Sequence, residues 1–417
     1  MNQIKIGCIT KWVFEEDTAS IKQIVKDCKI DLLVFPEGHD STANLKLKSL
    51  PEGKLDIVKY ETNWSKQIGC AMIVGMKDRR NNVFNVFVNP YAKKGETKSH
   101  IYIKHTMTGH SAFEWESYIE LYERMFQPIL FQEWRIGMTI CYDSNFPIFS
   151  RMYGKKGIDL IVNSTGSNAK KSKWLKYHKV RSIENHCISV VTMLCDENTD
   201  KSNWPTYCFN SKGGIIEIEK CVDGVYVYKI EKDKGIAEED PYYNQKESIN
   251  KKENVELRIP VGNVNRLIEK SSSVDKNIYC YQTNHQNVIF CLVKGNDILK
   301  PEKVLPFFYN KKLDTIKNKC FVIVNQHKHI TDKFFRTQLD TVLKVRAVEN
   351  LCAVLLESDD FSRCYQCTNH KESQVIMPIG GYFDLDLKRT HGPKHTGLHE
   401  NKQWTPSIEF LVEMLKK

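Results

Sequence analysis

Three side chains with complementary chemistry fall where apolar stretches of this 417-residue chain give out. Cys141 closes the run Ile136-Gly-Met-Thr-Ile140 and is followed by Tyr142-Asp-Ser-Asn-Phe-Pro147. Glu37 follows Asp31-Leu-Leu-Val-Phe-Pro36, and Lys104 ends the alternating stretch His100-Ile-Tyr-Ile. A thiol attacks well only as thiolate, and a neighbouring ammonium and carboxylate can produce one near neutral pH. The carboxylate can then pass the thiol proton to a leaving amine and activate water. The ammonium, with a backbone N–H such as that of Tyr142, can hold a tetrahedral oxyanion. Taken singly these signals are weak, because a cysteine in an apolar run is ordinarily core packing. Only their combination points to acyl chemistry.

Such groups need rigid carriers, and the hydrophobic pattern supplies a strand for each. Residues 136–140 are too few and too β-rich for a helix, and Asp143-Ser144-Asn145 ahead of Pro147 marks an exit from a buried strand. Cys141 is therefore expected on a strand-to-helix elbow, where free N–H groups favour thiolate and oxyanion alike. Residues 32–35 form the strand that carries Glu37. Residues 4–9, 70–76 and 83–88 read as further strands, the last holding Asn85. Residues 17–28 read as an amphipathic helix with Ile21, Ile24, Val25 and Cys28 on one face, and 54–68 as a second helix. Beyond the elbow come a buried strand ending at Thr165, a helix over 174–185, a strand over 187–193, and closing hairpins over 207–218 and 225–230. Strands and helices alternating at this pitch predict an α/β layered architecture.

A strand-end carboxylate, a strand-end lysine and an elbow cysteine in that order, with Arg151 after Phe146-Pro147 and Arg181-Ser-Ile-Glu-Asn185 closing a helix, resemble the nitrilase superfamily of carbon–nitrogen hydrolases over residues 1–232. The resemblance implies a four-layer αββα sandwich with Glu37, Lys104 and Cys141 as catalytic residues. It implies no metal, no organic cofactor and a small amide-type substrate. A second active-site glutamate is implied between Lys104 and Cys141; Glu114 fits the spacing best, with Glu116 close behind, and a solvated helix face is the plain alternative. Trp115, Tyr118 and Tyr142 are candidates to line the substrate pocket, although aromatic residues so spaced more often simply pack. Arg181 and Glu184 read as a structural ion pair. One departure is plain: Ile148 follows Phe146-Pro147 where the family usually has a glutamate.

The second half of the chain repeats part of the first. Lys179-Val-Arg-Ser-Ile-Glu-Asn-His-Cys187 returns as Lys344-Val-Arg-Ala-Val-Glu-Asn-Leu-Cys352, and Asp159-Leu-Ile-Val-Asn163 as Phe321-Val-Ile-Val-Asn325. Residues 1–240 are thus expected to form the catalytic domain, 241–256 a linker, and 257–417 a degenerate, partial and non-catalytic copy. The stretch Val288-Ile-Phe-Cys-Leu-Val-Lys-Gly-Asn296 stands for the cysteine elbow there; its Cys291 lies a residue or two early, with no Pro-Glu strand or lysine strand before it, and reads as core. The copied half bears the helices that form subunit interfaces in nitrilase-like enzymes, so a homo-oligomer or an intrachain pseudo-dimer is expected.

Composition excludes little beyond this. A net charge of +10 comes from dispersed lysines in a Lys- and Asn-rich chain, and no aromatic-and-basic module accompanies it, so nucleic acid is not the expected partner. With no charged-then-apolar leader and no long apolar run, a cytoplasmic protein with no membrane span and reduced thiols is expected. Cys364-Tyr-Gln-Cys367 with His370 is half a zinc site at most. The tail His391-Gly-Pro-Lys-His-Thr-Gly-Leu-His399 carries helix-breaking residues and precedes a short helix over 408–415. Three functions remain open: hydrolysis of an amide or carbamoyl group more than of a nitrile, transfer of the same acyl thioester to another acceptor, or a binding module that keeps the fold and turns over little.

Overall fold

The computed structural model describes residues 3–38, 57–77, 83–105, 125–166, 171–195, 206–232, 257–369, 372–390 and 392. The chain divides into two compact units, Met1–Glu238 and Glu239–Lys417. In the first, β1 (Gln3–Ile9), α1 (Thr18–Cys28), β2 (Leu32–Val34), α2 (Ile57–Ile68), β3 (Ala71–Lys77), β4 (Val83–Val88) and β5 (Ser99–Ile103) lead to β6 (Ile129–Phe131) and β7 (Trp134–Ile140). A 3-10 turn at Cys141–Asn145 then opens α3 (Pro147–Gly154), followed by β8 (Leu160–Thr165), α4 (Lys171–Asn185), β9 (Ile188–Met193), β10 (Thr206–Phe209), β11 (Lys220–Val222) and β12 (Val225–Glu231).

These strands make two sheets, in the orders β11-β12-β1-β2-β3-β4-β5 and β10-β9-β8-β7-β6. Within them β1-β2-β3 and β7-β8-β9 run parallel, so Glu37 and Cys141 both follow the carboxyl ends of parallel strands. The sheets face each other through β1 with β9 and through β4 and β5 with β7. Helices α1 and α2 close the outer face of the first sheet, while α3 and α4 cover the second, giving the four-layer αββα sandwich. The expected face of α1 packs inward, with Ile21, Ile24, Val25 and Cys28 joining Trp64, Ile68, Leu33, Phe35 and Val74 in one core. Each fully buried aliphatic side chain of this kind contributes roughly 1.5–3 kcal/mol.

Polar ties fix the register between the layers. Thr192 Oγ1 donates to the Ile9 carbonyl at 2.6 Å, and Asn85 Nδ2 to Ser164 Oγ at 3.2 Å. At 207–218 the sequence expectation is corrected. Residues 215–218 form no strand and keep only a bridge from Ile215 to Phe209, while β11 at Lys220–Val222 makes the hairpin with β12. Lys220 and Cys221 are exposed, so periodicity gives that short edge strand little signal.

Gly75 in β3 lets the turn after β2 form. A Cβ there would lie 2.2 Å from the Pro36 carbonyl oxygen and 3.0 Å from the Glu37 Cα, both backbone atoms that cannot rotate away. Gly75→Ala is therefore expected to lower stability by about 1–3 kcal/mol and to displace Glu37. Chemical denaturation measured beside activity checks this, with activity falling even under conditions where the variant remains folded.

The second unit comprises β13 (Leu257–Pro260), α5 (Asn265–Glu269), β14 (Ser272–Asp275), β15 (Ile278–Gln282), β16 (Asn287–Lys294), α6 (Pro301–Phe308), β17 (Lys319–Gln326), α7 (Lys333–Glu349), β18 (Ala353–Glu357), β19 (Ser362–Asn369), β20 (Glu372–Ile376) and β21 (Tyr382–Leu385). Its main sheet runs β14-β15-β16-β17-β18-β19-β20, with β16, β17 and β18 parallel. After β16 comes Gly295, with φ of 50°, opening a 3-10 turn at Gly295–Leu299. Asn325 Nδ2 donates to the Gly295 carbonyl at 3.0 Å, and Arg346 Nε to the Ile298 carbonyl at 3.1 Å. Cys291 lies in the body of β16, fully buried and registered with Ile323, as a core residue. Cys364 and Cys367 are buried in β19, and among the described residues no group of three or more His, Cys, Asp or Glu side chains could hold a metal ion. His370, the linker, the tail beyond Gly392 and its short helix lie outside the described residues. Among the described residues no helix is long and apolar enough to cross a membrane.

Candidate active site

Strand geometry brings Glu37, Lys104 and Cys141 together. Glu37 follows Pro36 at the end of β2, Lys104 is the residue after β5, and Cys141 opens the 3-10 turn after β7. Lys104 Nζ donates to Glu37 Oε1 at 2.6 Å, and the pair is largely shielded, with the two side chains 5% and 15% exposed. The other carboxylate oxygen accepts the Gly166 N–H at 3.2 Å. The Cys141 thiol lies within hydrogen-bonding reach of both the Glu37 carboxylate and the Gly166 amide. A Cβ at Gly166 would come only into ordinary contact with Glu37 Oε2, at 3.4 Å.

Cys141 has a φ of 44°, a left-handed backbone that a non-glycine residue adopts only where its surroundings over-determine it. Its carbonyl accepts Ser144 Oγ at 2.8 Å and Asn163 Nδ2 at 3.4 Å. Arg181 Nε donates to the Ser144 carbonyl at 2.8 Å, and Arg181 Nη1 pairs with Glu184 Oε1 at 2.5 Å in full burial. Arg181 thus braces the elbow through the backbone, while Glu184 supplies its counter-charge. Ile148, which stands where the family usually has glutamate, is buried in α3.

Asp143 went unnoticed as a functional candidate in the sequence, where it marks only a turn. It is fully buried. One oxygen accepts the Tyr102 hydroxyl at 2.9 Å and the Ile140 N–H at 3.3 Å; the other accepts the His105 N–H at 3.2 Å. Beside it, the His105 ring packs against Tyr102, Phe126 and Phe149, and burial pushes its pKa down to about 3, so the imidazole is neutral.

Burial would lower the Lys104 ammonium, but a thiolate at Cys141 once it forms, the standing charge and hydrogen bond of Glu37, and Asp143 outweigh it and hold the lysine above its ordinary value. The cysteine behaves otherwise than its neighbours' charges suggest. Burial first, and then the Glu37 charge, push the thiol up to about 12 against the opposing pull of Lys104. Burial and the Glu37 charge thus favour the protonated sulfur at the resting site. It holds a thiol in reach of a carboxylate that can take its proton as attack begins.

Tyr142 is half-buried next to the cysteine, its ring edge-on to Phe146 at 5.6 Å. Burial raises its phenol above the ordinary value. Glu114, Trp115, Glu116 and Tyr118 lie outside the described residues. A separate cavity of about 380 Å³, lined by Asp31, Tyr91, Glu96 and Gln132, opens at the amino ends of β2 and β3, the opposite strand ends from Glu37 and Cys141.

Residues 3–205 match the family model described as carbon-nitrogen hydrolase. No curated protein matches the sequence. Among solved structures the chain is similar to a carbon-nitrogen hydrolase from Helicobacter pylori G27, at 15% identity and a TM-score of 0.41, over 55% of this chain and 89% of that one. It is similar to Nit3 of Saccharomyces cerevisiae, a member of branch 10 of the nitrilase superfamily, at 14% identity and a TM-score of 0.38, over 55% and 90%. It is also similar to a mutant amidase from Nesterenkonia sp. AN1 with the acetamide moiety of fluoroacetamide added at the active site cysteine, at 12% identity and a TM-score of 0.42, over 55% and 90%.

Proposed function

The first unit of this chain belongs to the carbon-nitrogen hydrolase family, and from that premise we propose that it hydrolyses a non-peptide C–N bond, in an amide or carbamoyl group rather than a nitrile, through a thioester on Cys141. The observation that carries the reading is the 2.6 Å contact between Lys104 Nζ and Glu37 Oε1 with the Cys141 thiol in reach of the same carboxylate. Glu37 removes the thiol proton as sulfur attacks the carbonyl carbon. Charge then develops on the carbonyl oxygen, where the Lys104 ammonium and the Tyr142 N–H receive it. Collapse of the tetrahedral adduct breaks the C–N bond, and the proton held by Glu37 leaves with the amine. In the second half Glu37 deprotonates water against the thioester, and the proton returns to sulfur as the carboxylic acid departs. A thiol resting near 12 suits this sequence, because deprotonation and attack are then coupled through one carboxylate.

Glu114 is proposed as a second active-site acid, with Trp115, Glu116 and Tyr142 lining the substrate pocket. No cofactor enters the scheme. The second unit is proposed as a partial, non-catalytic copy. Gly295 with its φ of 50° follows β16 as Cys141 with its φ of 44° follows β7, so the place of the nucleophile holds no side chain.

The test is ammonia release from a panel of short amides and carbamoyl compounds, with Cys141→Ala as control. Release that needs no added acceptor supports hydrolysis; release that appears only with an added amine or alcohol supports acyl transfer instead. Within the same assay, Lys104→Met is expected to lower kcat by about a hundred- to a thousandfold, since one oxyanion donor is lost. The Michaelis constant should move far less, and steady-state kinetics on the folded variant measures both.

A further inference from the structure

We infer that Asp143 is the positioning residue that fixes Lys104 relative to the Cys141 elbow, an inference that rests on the proposed hydrolase reading. Its carboxylate binds both flanks of Lys104: the Tyr102 hydroxyl two residues before it at 2.9 Å, and the His105 N–H just after it at 3.2 Å. It also binds the N–H of Ile140, the residue before the nucleophile, at 3.3 Å. One fully buried side chain therefore joins the end of β5, in the first sheet, to the end of β7, in the second. Backbone bonds alone do not make that link, because β5 and β7 belong to different sheets.

A carboxylate suits this position for two reasons. It is acceptor-only, and three donors converge on it; an amide would turn an NH₂ group toward at least one of them. It also supplies a buried negative charge beside the lysine. The groups facing it are Tyr102 from β5, Lys104 and His105 just beyond β5, and Tyr153 from α3. His105 is neutral and burial holds the Tyr153 phenol above its ordinary value, so Lys104 is the cation it supports. Misplacing a catalytic group by about 1 Å can cost about a hundredfold in rate, which sets the scale of effect expected here.

The experiment compares Asp143→Asn and Tyr102→Phe with the intact full-length chain and with Cys141→Ala. Asp143→Asn is expected to lower kcat about a hundredfold with a Michaelis constant within about threefold of the parent. The basic limb of its pH profile should also move to lower pH, because the anion that supports the ammonium is gone. Tyr102→Phe keeps the charge and removes one bond, so kcat should fall less than about tenfold and the limb should stay in place. An Asp143→Asn variant with reduced thermal stability but the parent's kcat and pH profile overturns the inference. If that variant does not fold, an unchanged kcat in folded Tyr102→Phe overturns it instead. Equal ammonia release by the parent and Cys141→Ala would defeat the hydrolase reading itself. In that case iodoacetamide labelling of Cys141, followed by peptide mass, still decides: labelling several-fold slower in Asp143→Asn supports the positioning role, and an equal rate refutes it.

Discussion

Cys141→Ala leaves a folded protein whose ammonia release falls at least about ten-thousandfold, the largest effect expected of any single change. Alanine keeps the Cβ, so the left-handed backbone at this position becomes no more strained, and the bonds from Ser144, Asn163 and Arg181 that shape the elbow touch only backbone carbonyls. The thermal midpoint should therefore remain close to that of the parent. Cys8 and Cys187 lie in the core of the same unit, and burial raises both thiols. Circular dichroism melting and an amide panel at matched concentration check both halves of the expectation.

Glu37→Gln is the second large effect, and its sign is informative. The Glu37 charge raises the Cys141 thiol, so removing it lowers that pKa and increases the thiolate present at neutral pH. If turnover followed thiolate content, the variant would be faster. Because Glu37 is proposed to carry every proton of the cycle, turnover should instead fall about a hundred- to ten-thousandfold. Thiolate absorbance, taken as a pH titration difference against Cys141→Ala, should move to lower pH while the rate collapses. The two readouts moving in opposite directions separate a proton carrier from a group that merely adjusts the thiol.

The three reactive side chains were legible because each ends a strand whose period can be read locally: a run of apolar residues, then a proline or polar turn, then the functional group. Family resemblance supplied their convergence, which no local pattern contains. What stayed hidden is non-local. Gly166 donates to Glu37 only because β8 lies beside β7 and opposite the first sheet, and a glycine after a strand gives no sign of that. Asp143 reads as a turn residue, and its bonds to Tyr102 and His105 depend on how two sheets meet. The upward push that burial gives the thiol is hidden for the same reason, since neighbouring charges can be guessed from the sequence and depth of burial cannot. In the second unit, Cys291 reads as core from the sequence and is fully buried, four residues before Gly295. The turn after that strand carries a positive φ at Gly295 and the Asn325 bond to its carbonyl, features that a search for sulfur does not find.

The most direct test of the thioester uses Glu37→Gln with p-nitrophenyl acetate, whose phenolate leaves without needing a proton. Acylation can then proceed without the carboxylate, while hydrolysis of the thioester, which needs water activated by Glu37, is arrested. The expected result is a burst of one equivalent of nitrophenolate and an acetyl group on the peptide bearing Cys141, absent from a Glu37→Gln, Cys141→Ala double variant. A burst that survives in the double variant, or acetyl groups found only at other residues, would contradict the covalent role given to this cysteine.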